Sequence, residues 1–244
     1  FPLTRIPGVT SLFRQSLQNA NGITCVSHPL AQYVRETSGS ICPIEVIENA
    51  VPEGLFKPMD KVNAREELSL PQNGILIGTA GAISKSRGIE TLFKAFEMIA
   101  QERSDVHLVL AGACDKGLRL PKNSRIHYLG MLPMNRVPVF LSSLNVSVIC
   151  NRESAFGKYC FPQKFYESVA CGLPVVAAAT GSMLELLKDK PENLFEPENV
   201  DNLVAALSRQ IANPLPLPLE VPTWTTLGNR LERFFKTILK TSDQ

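Results

Sequence analysis

Six short runs of apolar, mostly β-branched residues punctuate this chain, and the stretches between them carry helical period. The runs are Ile44–Ile47, Ile75–Ala80, Val106–Ala111, Ile126–Leu129, Val146–Cys150 and Val175–Ala178. They show little polar alternation, as strands covered on both faces of a parallel sheet require. Between the second and third, Arg87–Arg103 sets Ile89, Leu92, Phe93, Phe96 and Ile99 on one stripe at i, i+3, i+4, i+7 spacing. Asn199–Ile211 does the same with Val200, Leu203, Val204 and Leu207. Parallel neighbours can be joined only through a crossover, so this rhythm predicts the α/β class with a doubly wound, Rossmann-like parallel sheet.

The ends of the chain depart from that rhythm. Residues 213–222, NPLPLPLEVP, form a proline-punctuated connector that cannot be helical. After it, Trp224–Leu239 resumes helix period with Trp224, Leu227, Leu231, Phe234, Phe235 and Ile238 on one face. Residues 9–50 read as a small helix–strand–helix–strand unit of their own. A length of 244 residues fits one large domain or two small ones.

Composition excludes several function classes. The 25 basic and 23 acidic side chains leave a net charge of +2, so bulk electrostatics call for neither nucleic acid nor an anionic membrane. Aromatics reach 7% with a single Trp, too thin for a base-stacking platform. The six cysteines (Cys25, Cys42, Cys114, Cys150, Cys160, Cys171) contain no C-x-x-C, the three histidines are scattered, and no Asp-x-Asp occurs, so no metal site is expected. Cysteines set in apolar runs point to a reduced, cytoplasmic protein. Asn145-Val146-Ser147 matches a glycosylation sequon but falls in an expected buried strand. Phe1 is followed at once by prolines and Arg5, so no signal peptide is expected. The longest uncharged stretch, Ser168–Leu184, is broken by Gly172, Pro174 and Gly181 and does not read as a membrane span.

Two segments carry candidate chemistry. Gly78–Gly88 runs strand, small-residue loop, helix start, which offers free backbone N–H groups and a positive helix end to an anion. It is neither a P-loop nor G-x-G-x-x-G. Lys85 and Arg87 can supply cations to a phosphate there, and the same string also reads as a solvated basic loop capping a helix. In Pro162–Val176, Pro162 suits a first helical turn and Gly172-Leu173-Pro174 ends the helix before a buried strand. Lys164 and Glu167 share one face near that helix start. A cation there opposes the helix dipole unless it meets an anion, which a diphosphate supplies, and Glu167 can accept from ribose hydroxyls. The plain alternative is a surface Lys–Glu pair worth about 0.2–0.5 kcal/mol.

Pro162–Val176 resembles the donor-sugar signature of retaining GT-B fold glycosyltransferases of the family 4 type, P-x-K-x-x-E-x-x-A-x-G-x-P-V-V. Further segments fall into the same order: VIENAV with FKP (Val46–Val51, Phe56–Pro58), Gly81–Phe96, Val106–Ala113, Arg125–Leu132 and Ala179–Leu187. The resemblance covers roughly residues 22–240 and implies a donor-binding half of such an enzyme, with no metal or other cofactor. On it, Arg87 and Lys164 are the catalytic cations on the donor diphosphate. Gly81, Lys85, Gly130, Met131, Glu153, Phe156, Gly157, Glu167 and Ser168 are donor-binding, with Glu167 on the ribose and the Gly130–Leu132 loop at the base.

The resemblance also implies a division of the chain. Residues 1–48 would be the tail of an acceptor-side domain, 49–222 the nucleotide-sugar domain, and 223–244 a helix packing back toward the first. The acceptor, a glycan or lipid-linked glycan, would be held by the part not present, with peripheral membrane contact left open. This chain alone is then expected to bind nucleotide without turning over. Two departures stand out: Ala82 replaces a phosphate-binding Arg, and Tyr159 stands where the first Glu of an E-x7-E pair falls, while Glu153 in ESAFG lies fourteen residues before Glu167. A non-catalytic nucleotide-binding or scaffolding module, and a GT-B sugar-nucleotide epimerase, are the other classes open.

Overall fold

A computed structural model describes residues 6–242 of the chain. The expectations for residues 1–5 and 243–244 lie outside the described residues. The chain opens with α1 (Val9–Gln18), β1 (Ile23–Cys25), α2 (His28–Ser38) and β2 (Ile44–Val46), then α3 (Lys61–Glu67) and β3 (Ile75–Ala80). There follow α4 (Ile89–Glu102), β4 (Val106–Ala111), β5 (Ile126–Tyr128), α5 (Val137–Ser143), β6 (Val146–Ile149), α6 (Ala155–Tyr159) and α7 (Gln163–Ala170). The remainder is β7 (Val175–Ala178), α8 (Ser182–Leu186), β8 (Leu194–Phe195), α9 (Val200–Ala212) and α10 (Trp224–Ser242). Residues 213–222 carry no helix or strand.

Six strands form one parallel sheet in the order β5-β4-β3-β6-β7-β8. The chain winds outward from β3 to β5, returns to the centre at β6 and winds out the other way. This is the doubly wound sheet the sequence predicts, with its switch point between β3 and β6. Successive residues of a strand face opposite ways, and the core divides accordingly. Val106, Leu108 and Leu110 of β4 join Val146 and Val148 of β6 under Leu92, Phe93 and Phe96 of α4 and Leu203 and Leu207 of α9. Val109, Ala111 and Ile149 face the other way, onto Phe140 and Leu141 of α5 and Phe165 and Val169 of α7. Both faces are dry, which is why these strands read as unbroken apolar runs.

A separate two-stranded parallel sheet, β1-β2, lies under α1 and α2 around Cys25, Ala31 and Val34. Helix α10 returns to this unit. Arg230 donates to the Glu45 carboxylate at 2.8 Å and the Val46 carbonyl at 3.0 Å, and Ile238 fills the space above Gly22. Val51 bridges to the extended segment entering α10, its N–H on the Pro222 carbonyl and its own carbonyl on the Trp224 N–H. The small unit is tied to the large one through Ser27, whose hydroxyl donates to the Tyr159 carbonyl, Asn49, whose amide donates to the Phe161 carbonyl, and Glu48, which accepts from the Tyr166 hydroxyl.

All six cysteines are free thiols. The side chain of Asn145, in the sequon, accepts from the Leu76 N–H and from buried Arg65, so it is committed to the interior. No helix among the described residues is long and apolar enough to cross a membrane.

At the N-terminal edge of the sheet, His107 of β4 and His127 of β5 lie 3.1 Å apart, Nδ1 to Nε2. One ring's N–H donates to the other's lone pair, so both rings cannot be imidazolium at once and keep the bond. Burial holds both below the ordinary imidazole value, and for His107 the neighbouring His127, Arg125 and Arg65 add to it while Asp105 opposes. The unfolded chain therefore takes up protons first as pH falls. This contribution to stability is full above about pH 6.5 and is lost as pH drops through the depressed values. We expect the melting temperature to fall between about pH 7.5 and about pH 5.5, and to fall less in His127→Gln; an equal fall in both would remove the pair as the cause.

Candidate active site

In open α/β sheets, ligands bind outside the carboxyl ends of the strands where the winding reverses. A cavity of about 590 Å³ opens at that place, between the loops after β3 and β6. It is lined by Ala80, Gly81 and Ala82 at the end of β3, by Ala111–Ala113 at the end of β4, and by Asn151 and Phe156 after β6. Met131, Leu132 and Met134 border it at the β5 side, and Gln163, Lys164 and Glu167 of α7 close it from above.

Two cations project into this space. Arg87 ends a 3-10 turn, Lys85–Arg87, capped by the Ser84 hydroxyl, and its guanidinium lies 3.9 Å over the Phe156 ring. Stacking against a ring face favours the cation and fixes its plane. Lys164 enters from the first turn of α7, and its ammonium rests on Gly81, where an added Cβ would stand 3.0 Å from Nζ. Gly81 is at φ +118°, so glycine here serves both the turn and the close approach. Among the described residues, neither cation has a carboxylate within 4.0 Å. Burial, and then Arg87, push the Lys164 ammonium below its ordinary value, while burial pushes the Glu167 carboxyl up. The N-cap of α7 is Pro162, with no side chain on the first N–H groups. A helix start left open, with two unpaired cations beside it, is built to receive an anion.

Of the residues nominated from sequence, Gly81, Met131, Phe156, Glu167, Arg87 and Lys164 line this cavity. Five others do not. Lys85 is exposed and faces Glu90 at 3.9 Å, because the 3-10 turn carries it to the opposite side from Arg87. Gly130 stands behind the lining, at φ +67°, where its carbonyl accepts from the Gly112 N–H at 2.7 Å. Glu153 is exposed outside the cavity. Gly157 is buried against the Arg152 carbonyl, where a Cβ has no room. Ser168 is fully buried and faces the sheet: its hydroxyl lies 2.8 Å from that of Ser147 and donates to the Lys164 carbonyl. Tyr159 also turns away, its ring against Tyr33 at 4.9 Å. Its backbone carbonyl is the one Ser27 uses.

Sequence reasoning missed Asn151, Cys160 and Gln163 as cavity residues. A polar residue directly after a buried strand at the switch point was the signal available for Asn151. None of the three histidines lines the cavity, and no three His, Cys, Asp or Glu side chains converge among the described residues.

A doubly wound sheet with a cavity at its switch point, accompanied by a β1-β2 unit and a returning helix, defines a GT-B-like α/β protein. Residues 74–213 match the sequence profile described as Glycosyl transferases group 1. The chain belongs to that family. Curated relatives are distant. It is 25% identical over 213 residues, 83% of this chain and 45% of the relative, to the phosphatidylinositol N-acetylglucosaminyltransferase GPI3 subunit of Saccharomyces cerevisiae. With the D-inositol 3-phosphate glycosyltransferase of Acidothermus cellulolyticus it shares 26% over 169 residues, 62% of this chain and 36% of that one. The chain thus spans less than half the length of these relatives. Among solved structures, sucrose-phosphate synthase from Thermosynechococcus elongatus superposes with a TM-score of 0.76 at 21% identity, over 97% of this chain and 63% of that one. HepE of Anabaena, solved with UDP and glucose, gives 0.69 at 20% identity over 87% and 60%. These likenesses establish the fold.

Proposed function

We propose that this chain is the donor-binding part of a retaining glycosyltransferase, which moves a sugar from a nucleoside diphosphate to an acceptor hydroxyl. The observation that carries the reading is the pair of unpaired cations, Arg87 and Lys164, meeting the open start of α7 at the switch point. In such a transfer the bond from the anomeric carbon to the diphosphate breaks, and the acceptor oxygen takes its place on the same face. Negative charge grows on the leaving phosphate. Arg87, Lys164 and the first N–H groups of α7 are fixed in advance where that charge appears, so little reorganisation is needed. The charge is met by these groups, with no metal in the reading. Glu167 accepts from ribose hydroxyls, and Met131 and Leu132 border the base.

UDP is the nucleotide we expect, because HepE shares the fold and was solved with UDP and glucose. A lipid-linked acceptor and peripheral membrane contact fit the name of the yeast relative, a phosphatidylinositol glycosyltransferase subunit. A polysaccharide-biosynthetic role and a cytoplasmic location belong to the same proposal.

A second reading, a nucleotide-binding module without catalysis, is favoured by one observation. Among the described residues, Glu167 is the sole carboxylate lining the cavity, and Tyr159 turns its ring away. Titration calorimetry of the 244-residue chain with UDP, GDP, ADP and CMP decides the first step. Saturable binding of UDP is expected, and binding of none of the four would remove the donor-site reading.

A further inference from the structure

Among the described residues, no side chain of the small β1-β2 unit lines the cavity, yet that unit holds a stretch of chain that does. Cys160, Phe161, Pro162, Gln163 and Lys164 are five consecutive lining residues. Three side chains from the unit and from the connector behind β2 grip this stretch and its flanks. Ser27 donates to the Tyr159 carbonyl at 2.7 Å, Asn49 donates to the Phe161 carbonyl at 2.9 Å, and Glu48 accepts from the Tyr166 hydroxyl at 2.9 Å.

The middle contact differs from the other two. Phe161 runs into Pro162, which has no N–H to anchor, and Pro162 is the N-cap of α7 with no side-chain cap. The direction in which α7 starts is therefore set from outside the helix. Asn49 meets the carbonyl just before that start, three residues ahead of Lys164. The arm that carries Asn49 is itself fixed: Ala50 and Val51 are buried, and Val51 bonds through its N–H and its carbonyl to the segment entering α10. A neutral amide suits the place, because it donates to the carbonyl without bringing a further charge toward Arg87 and Lys164. Ser27 and Glu48 hold Tyr159 and Tyr166, on either side of the stretch, and keep the unit docked when the Asn49 amide is removed.

Resting on the donor-site reading above, we propose that Asn49, which lies outside the cavity, is a positioning residue for it. Its amide fixes the start of α7, so that Lys164 and the first N–H groups of the helix stand where the diphosphate arrives. A hydrogen bond weakens steeply as its angle closes, so a small turn of the helix start costs affinity while the fold survives.

Titration calorimetry with UDP on wild type, Asn49→Ala, Lys164→Met and the double variant tests this. Asn49→Ala removes the donor and moves no charge. It is expected to weaken UDP binding about 3- to 10-fold, the worth of one ordinary hydrogen bond, at unchanged stoichiometry. In the Lys164→Met background the same substitution should cost less than about twofold, because the ammonium it would have misplaced is gone. A purely structural role lowers the stoichiometry or the melting temperature and leaves the Kd of the folded chains alone, so an unchanged Kd overturns the proposal. An equal loss in both backgrounds overturns it as well. Asn49→Ser, whose hydroxyl is too short to reach the carbonyl, is the second variant should Asn49→Ala not fold. If neither folds, the amide is a structural tie and the positioning role is overturned, with the donor site left standing. Failure of UDP to bind wild type overturns the donor-site reading and this proposal with it.

Discussion

Replacing Lys164 by methionine is expected to weaken UDP binding by about 10- to 150-fold while raising the melting temperature of the free protein. The first figure follows from the charge-assisted bond lost, about 1.5–3 kcal/mol, at about 1.4 kcal/mol for each factor of ten. The second follows from the free protein's own electrostatics. Lys164 carries a desolvated ammonium beside a guanidinium, and Glu167, which makes no ion pair with it within 4.0 Å, offsets these costs only in part. Removing this under-compensated charge and keeping the aliphatic stem relieves both costs. Opposite movements of affinity and stability are what a functional cation produces; a structural one would move both the same way. Thermal melting with and without UDP reads the two together. Binding untouched by the substitution would mean that the phosphate lies elsewhere. Arg87→Ala should also weaken binding, but less than additively with Lys164→Met, because the two are neighbouring like charges acting on one phosphate.

The same two residues show how far sequence reaches here. Lys164 and Glu167 are three apart in a segment with helical period, so their shared face follows from the backbone repeat alone, and both line the cavity. Strands β3, β4 and β7 have the expected bounds because dry faces on both sides demand unbroken apolar runs. β8, two residues at the sheet edge, and α6, five residues long, are too short to show a period.

Lys85 lies outside the cavity for a different reason. A 3-10 turn rotates the chain by about 120° per residue against about 100° in an α-helix, and sequence does not announce it. Ser168 is four residues beyond Lys164, near enough in angle to share its face. Only the partner across the sheet, Ser147, decides that its hydroxyl turns inward. Asn151 escaped because its meaning depends on which loops meet at the switch point, and that is set by strand order. Strand order is a tertiary fact, whereas period is local.

Gly112→Ala should be among the most damaging single substitutions in the chain. The loops after β3 and β4 cross at Gly81 and Gly112, and a Cβ at Gly112 would collide with the Gly81 carbonyl oxygen and stand 2.6 Å from its carbon. Both obstacles are backbone, so no side chain can swing aside. Gly112 cannot retreat either. Its N–H donates to the Gly130 carbonyl at 2.7 Å and its carbonyl accepts from the Tyr128 hydroxyl at 2.7 Å. It sits at φ +132°, a conformation that costs an L residue about 1–3 kcal/mol before any clash, and the overpacking adds about as much again. A loss of about 3 kcal/mol or more would lower the melting temperature by about 6–12 °C in a protein of this size. Gly117→Ala is the matched control, with φ +96° and nothing within 4 Å of the new methyl, so it carries backbone strain alone and should lose about 1–3 kcal/mol. A larger loss at Gly112 than at Gly117 isolates the crossing. Because that crossing seats Gly81, on which the Lys164 ammonium rests, the substitution should also weaken UDP binding beyond what the stability loss accounts for. Calorimetry well below the melting temperature separates the two effects.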